Sequence, residues 1–159
     1  MIARDNSDAD SAANAAYSTA QLAVLDLLLA SAIPASGRKP AGNAVGFAAF
    51  AVQAGMQTWL AEGLDSVDAL AVQQHGMALA ALAPAPQQEL ITAARRKQFR
   101  FFGELSGLLM QCYYQHDAVL EAIGQEARPP FPQGYVVHDG DLSLLEAVYE
   151  RGPIYRSTD

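Results

Sequence analysis

Three prolines within four residues, Pro129, Pro130 and Pro132 in the stretch PPFPQGY (129–135), set the limit of what this chain can fold into. Proline lacks the amide N–H that a helix interior needs, and its ring crowds the preceding turn, so helix cannot run through the stretch. Before it, apolar residues recur every three or four positions. No alternation strong enough for a strand and no internal repeat is visible. The chain reads as all-α: a single compact domain of five or six helices, then a long, proline-containing, largely irregular C-terminal arm. Residues 1–16 read as a flexible acidic tail, 17–124 as the helical domain and 125–159 as the arm.

Within the helical domain, Leu22, Val24, Leu25, Leu28 and Leu29 form the first apolar stripe from Ser18 on. Pro34 ends it, and PASGRKPAGN (34–43) is a loop. Phe47, Phe50, Val52, Met56, Trp59 and Leu60 mark a second apolar region up to about Gly63, with Gly46 and Gly55 as possible breaks. Asp65 or Ser66 then caps a short helix that ends at Gly76. Residues 83–86 form a turn, with Pro86 in the first turn of the next helix. The longest helix runs from 98 to about 123 and ends at Gly124, with Phe101, Phe102, Leu105, Leu108, Leu109, Cys112, Val119, Leu120 and Ile123 on its stripe. Gly103 and Gly107 in it would let another helix approach closely. In the arm, SLLE (143–146) matches a capping box with Ser143 as cap, opening a helix through Tyr149 that stops near Gly152 and Pro153.

The chemistry-bearing residues are sparse. There is no glycine-rich nucleotide loop, no HExxH, no CxxC and no GxSxG. His75, His116 and His138 have no histidine partner at helical spacing, so no helix offers two metal ligands on one face. HDGD (138–141) lacks the remaining positions of a calcium loop and reads as a turn into a helix cap. Glu62 and Asp65 lie near each other at a helix end, and Glu104 stands alone on an apolar helix, facing solvent or a partner. The lone Cys112 excludes an internal disulfide and, within LLMQCYY, reads as buried and inert.

Hydrophobic residues make up 51% of the 159 and charged ones only 17%, which favours tightly packed helices. The net charge of −7 argues against nucleic acid and against an anionic membrane surface. The one dense cationic cluster, Arg95, Arg96, Lys97 and Arg100, reads as a solvated helix face. The run LAVLDLLLASAI is too short to span a bilayer, so no direct membrane insertion is expected. MIARDNSDADSAANAA at the start has neither a basic region nor an apolar one. The chain as written is therefore expected in the cytoplasm, or in the periplasm if a signal was trimmed or a partner carries one.

The arm is too apolar to be ordinary disordered tail. Phe131, Tyr135, Leu142, Leu145, Tyr149, Ile154 and Tyr155 stand out in it, with Val136, Val137, Leu144 and Val148 between them. Such a segment either folds back on its own domain or lies on another protein. Its aromatic content favours a partner interface.

WLAEGLDSVDALAVQQHGMALAALAPAPQQELI (59–91), FRFFGELSGLLMQCYY (99–114), RPPFPQGY (128–135) and SLLEAVYERGPIYR (143–156) together resemble the gluconate 2-dehydrogenase subunit 3 family. The order and spacing of these segments, over residues 18–156, carry the resemblance. It departs from the family where Ser106 stands in place of a frequent Arg, and where many members begin with a twin-arginine signal. The resemblance implies a non-catalytic small subunit without cofactor. It would bind, stabilise and help mature, in a chaperone-like way, a large flavoprotein dehydrogenase subunit of the glucose–methanol–choline class. FAD is then expected in that partner, in a heterodimer or a higher assembly. The alternative is a self-contained helical domain that binds a small apolar ligand between the Phe47–Trp59 region and the Phe101–Tyr114 helix.

Overall fold

The computed structural model describes residues 15–127, 134, 140–152 and 154. The fold is all-α, with seven α-helices, three short 3-10 turns and no strand among the described residues beyond a single bridge between Ser36 and Lys39. The chain divides into two compact units, Met1–Ala127 and Arg128–Asp159.

In the first unit, α1 (Thr19–Ala32) opens on a capping box. The Gln21 N–H donates to Ser18 Oγ at 3.2 Å, and the Ser18 N–H donates to Gln21 Oε1 at 2.9 Å. Two orphan donors of the first turn are thereby satisfied. The helix buries Val24, Leu25, Leu28 and Leu29. A 3-10 turn (Gly42–Ala44) packs against its end, where a Cβ on Gly42 would stand 2.7 Å from the Leu29 carbonyl oxygen. Next, α2 (Phe47–Gln53) begins after Gly46 and gives way at Gly55, both with positive φ that glycine adopts without a Cβ clash.

The two helices expected on either side of Gly63 are one. α3 (Gln57–His75) runs straight through it and ends at Gly76, so neither Asp65 nor Ser66 is a cap. Asp65 instead accepts a hydrogen bond from Gln21 at 3.0 Å, and Ser66 accepts one from Gln98 at 3.0 Å. Leu60, Leu64, Val67 and Ala71 are buried at helical spacing along one face of α3. α1, α2 and α4 (Pro84–Lys97) all pack on this helix. The 3-10 turn Leu79–Ala81 between α3 and α4 is held at both backbone ends of Leu79. Its N–H donates to Asp68 Oδ1 at 2.8 Å, and its carbonyl accepts from Gln87 Nε2 at 3.1 Å. Leu79 itself is fully buried. Proline stands at the start of α4, where its missing N–H costs nothing.

The long helix expected over 98–123 is two. α5 (Phe99–Tyr113) is followed by α6 (Asp117–Ala122), with His116 extended between them. The turn lets Val119 reach the core while the Tyr113 hydroxyl donates to the Pro40 carbonyl at 2.8 Å. One continuous core joins all six helices of this unit, centred on Phe47, Leu28, Leu60, Leu64, Leu109 and Val119. Each such buried side chain contributes roughly 1.5–3 kcal/mol.

In the second unit a 3-10 turn (Leu142–Leu145) leads into α7 (Glu146–Arg151). The expected Ser143–Glu146 box is not formed. Asp141 is the cap, accepting from the Ser143 N–H at 3.1 Å and from the Ser143 hydroxyl at 2.6 Å. A carboxylate accepts both donors more strongly than a hydroxyl would accept one. α7 stops at Gly152, in line with the expected end.

The glycines of α3 and α5 differ in a way that can be measured. A Cβ at Gly63 would stand 2.0 Å from Phe101 Cε2, whereas at Gly103 and Gly107 it meets nothing within 4 Å. Gly63→Ala is predicted to destabilise the chain by about 1–3 kcal/mol through displacement of the ring. Gly107→Ala is predicted to stabilise it by about 0.5–1 kcal/mol through helix propensity. Urea unfolding followed by circular dichroism reads both signs.

Candidate functional site

Of the expected interface residues, Phe131, Tyr135 and Tyr155 lie outside the described residues. The other four are exposed: Leu142 at 72%, Leu145 at 41%, Tyr149 at 76% and Ile154 at 77%. Leu144 and Val148 beside them are exposed as well. The local fold explains the arrangement. Asp141 starts the turn, α7 carries it for one and a half turns, and Leu142, Leu145 and Tyr149 fall at i, i+3 and i+7 on one side. Six large apolar side chains in water within thirteen residues form a concentration that monomeric surfaces rarely show.

A second feature lies in the helical unit. Trp59 and Phe101 pack at 5.2 Å between ring centroids with their planes tilted by 45°, and the Phe101 ring rests on the bare backbone of Gly63. The two rings floor an open groove of about 410 Å³, rimmed by Phe99, Lys97, Arg100 and Glu62. Phe99 is the most exposed aromatic of this unit, at 68%. The region expected for an apolar ligand, between Phe47–Trp59 and Phe101–Tyr114, is filled on its inner side: Phe47, Leu60 and Leu109 are almost wholly buried. The groove opens instead on the outer side, where Trp59 and Phe101 meet, and its Lys97 and Arg100 rim was expected only as a solvated helix face. A further signal of it is Gly63, an isolated glycine inside a helical pattern, which is costly unless something packs on it.

Among the described residues no set of three His, Cys, Asp or Glu is grouped to hold a metal ion, and no helix is long and apolar enough to cross a membrane. His75 ends α3 in solvent, and His116 sits half-buried at the start of α6 with its Nδ1 unpartnered. His138 lies outside the described residues. Glu62, Asp65 and Glu104 are exposed. Ser106 turns its hydroxyl back onto the Phe102 carbonyl at 2.7 Å, so it offers its donor to its own helix.

Cys112 is buried, its thiol donating to the Val45 carbonyl at 3.4 Å. Burial pushes that thiol up to about 11, far from the thiolate a nucleophile needs. Burial likewise raises the phenols of Tyr17 and Tyr113, the latter also through Tyr114. Each of these groups ionises more readily in the unfolded chain. Their contribution is therefore complete below the unfolded value and is lost as pH rises toward the folded one. Folding stability is predicted to fall between pH 9 and 11, and to fall less steeply in Cys112→Ala. Urea midpoints across that range check the slope. A thiol reagent at pH 8 should label native protein only as fast as the chain opens.

The family model described as gluconate 2-dehydrogenase subunit 3 matches residues 19–127, which is most of the chain. No curated protein and no solved structure matches it.

Proposed function

The chain belongs to the gluconate 2-dehydrogenase subunit 3 family, and we propose that it is the non-catalytic small subunit of a flavin-dependent alcohol or sugar dehydrogenase. In this reading it binds the large subunit, stabilises it and helps it mature. The flavin and the redox chemistry belong to the large subunit.

The observation that carries the reading is the exposed apolar set Leu142, Leu145, Tyr149 and Ile154 on a chain whose family is named as a dehydrogenase subunit. Leaving such side chains in water is costly, at roughly 25 cal/mol for each Å² of apolar surface. A partner surface that takes them up recovers that free energy on association. The same association would cover apolar surface on the large subunit, which is how a small chain without a cofactor raises the yield of a flavoprotein. The inert thiol of Cys112 supports a role outside catalysis.

Dependence of the large subunit on this chain is the test. Expressed alone, the large flavoprotein subunit is predicted to be insoluble or flavin-poor. Expressed with this chain, it should be soluble and yellow. Replacing Leu145, Tyr149 and Ile154 together by Ser should lower the yield of complex without changing the helical circular dichroism of the small subunit. A large subunit fully active and flavin-loaded on its own would overturn the proposal.

A further inference from the structure

We propose that the groove at the α4–α5 corner is a second docking surface, which takes a carboxylate-bearing apolar segment of the large subunit. The inference rests on the accessory-subunit reading and adds to it a place and a chemistry of contact in the helical unit.

Charge is the first argument. Arg95, Arg96, Lys97 and Arg100 fall within six residues of a chain whose net charge is −7. All four are exposed, and among the described residues none pairs with a carboxylate. Arg95 lies over the Phe102 ring at 6.0 Å and donates to Ser31 at 3.4 Å, while Arg100 lies over Phe99 at 5.9 Å. Glu62 on the groove rim and Glu104 one turn beyond Arg100 leave these cations unpaired too. Four like charges held together without counter-charge repel one another, and an acidic partner relieves that repulsion.

The helix end is the second. Phe99, Arg100 and Phe101, the first turn of α5, all line the groove. Gln98, at the capping position, makes no side-chain cap and instead donates to Ser66 across the groove. The uncapped turn adds the partial positive charge of its N–H groups to that of Lys97 and Arg100, and a carboxylate is the group that suits it.

Shape is the third. The Trp59–Phe101 floor is apolar and fixed by its seat on Gly63, and Phe99 stands in water beside it. An aromatic floor under a cationic rim matches a segment that pairs an apolar side chain with an acidic neighbour. A nucleic-acid backbone would use the cations but not the floor, and it would meet repulsion from the rest of this acidic chain.

The test uses the full chain and the co-expressed large subunit that the accessory-subunit reading assigns to it. Affinity is measured at about 0.05 and about 0.3 M salt, a range over which the Debye length falls from about 14 to about 6 Å, which weakens exposed charge pairs far more than buried ones. Three small subunits are compared: wild type, the triple change Arg96→Glu/Lys97→Glu/Arg100→Glu, and Phe99→Ser. The wild-type complex should weaken with salt. The triple change should weaken it by about tenfold or more and flatten the salt dependence. Phe99→Ser should weaken it several-fold at both salt concentrations. If the triple variant does not fold, the wild-type salt dependence and Phe99→Ser still decide. Wild-type affinity in folded variants overturns this docking surface and leaves the subunit reading standing. Binding of a single-stranded DNA probe that the triple change abolishes, with the complex unaffected, also overturns it. Absence of any complex with the wild-type chain overturns the subunit reading itself, and this inference with it.

Discussion

The seat of the Phe101 ring on Gly63 is the contact on which the arrangement of the helical unit turns. α3 is the helix that α1, α2 and α4 pack against. Gly63 opens a gap on its outer side that no other residue could leave, since even a methyl group would overlap the ring. Phe101 fills that gap, packs at a tilt against Trp59 and meets Phe102 edge-on at 5.4 Å. Phe102 in turn is part of the core. The start of α5 is thereby joined to α3 through rings, and the bond from Gln98 to Ser66 adds a polar tie at the same place. A glycine in the middle of a nineteen-residue helix costs about 1 kcal/mol in propensity. The ring that occupies its place offsets that cost.

This distribution of apolar side chains bears directly on function. The helical unit hides its large residues well, with Phe47, Leu60, Leu64 and Leu79 almost without solvent contact. The described part of residues 140–154 shows the opposite: every residue assigned a burial there is exposed, leucines and tyrosine included. These side chains form no core of their own, and association with a partner is the reason we propose for that pattern. The chemistry is correspondingly quiet. Its one thiol is held protonated by burial, and the described histidines, His75 and His116, stand at helix ends.

Much of the fold could be read from the residues alone, because caps and breakers act locally. Gly76 and Gly152 end their helices as their backbone freedom suggests, and the stripe Leu25, Leu28 and Leu29 is buried as its spacing requires. Three features differ from the sequence pattern, two of them because they depend on distant partners. Gly63 looked like a break because nothing near it in sequence reveals Phe101. The turn at His116 was hidden because apolar spacing continues across it, while the Tyr113–Pro40 bond spans seventy-three positions. Asp141 displaced Ser143 as a cap because a carboxylate is the stronger acceptor. The candidate interface residues were legible as composition, since Leu142, Leu145, Tyr149 and Ile154 are conspicuous beside prolines. Their exposure was not, because burial is a property of the whole fold. The groove was legible only in part: Trp59 and Phe101 bound the region expected for an apolar ligand, but the joining of residues 59–66 to 97–101 is a property of the whole fold.

Hydrogen exchange of this chain, alone and with the large subunit, reads the proposed contact residue by residue. Amides of residues 142–152 are expected to exchange quickly in the free chain and to gain marked protection in the complex. Those on the buried face of α3 should change little. Equal exchange of residues 142–152 in both states would contradict that contact, because the exposed apolar side chains would then remain in water when the partner is bound.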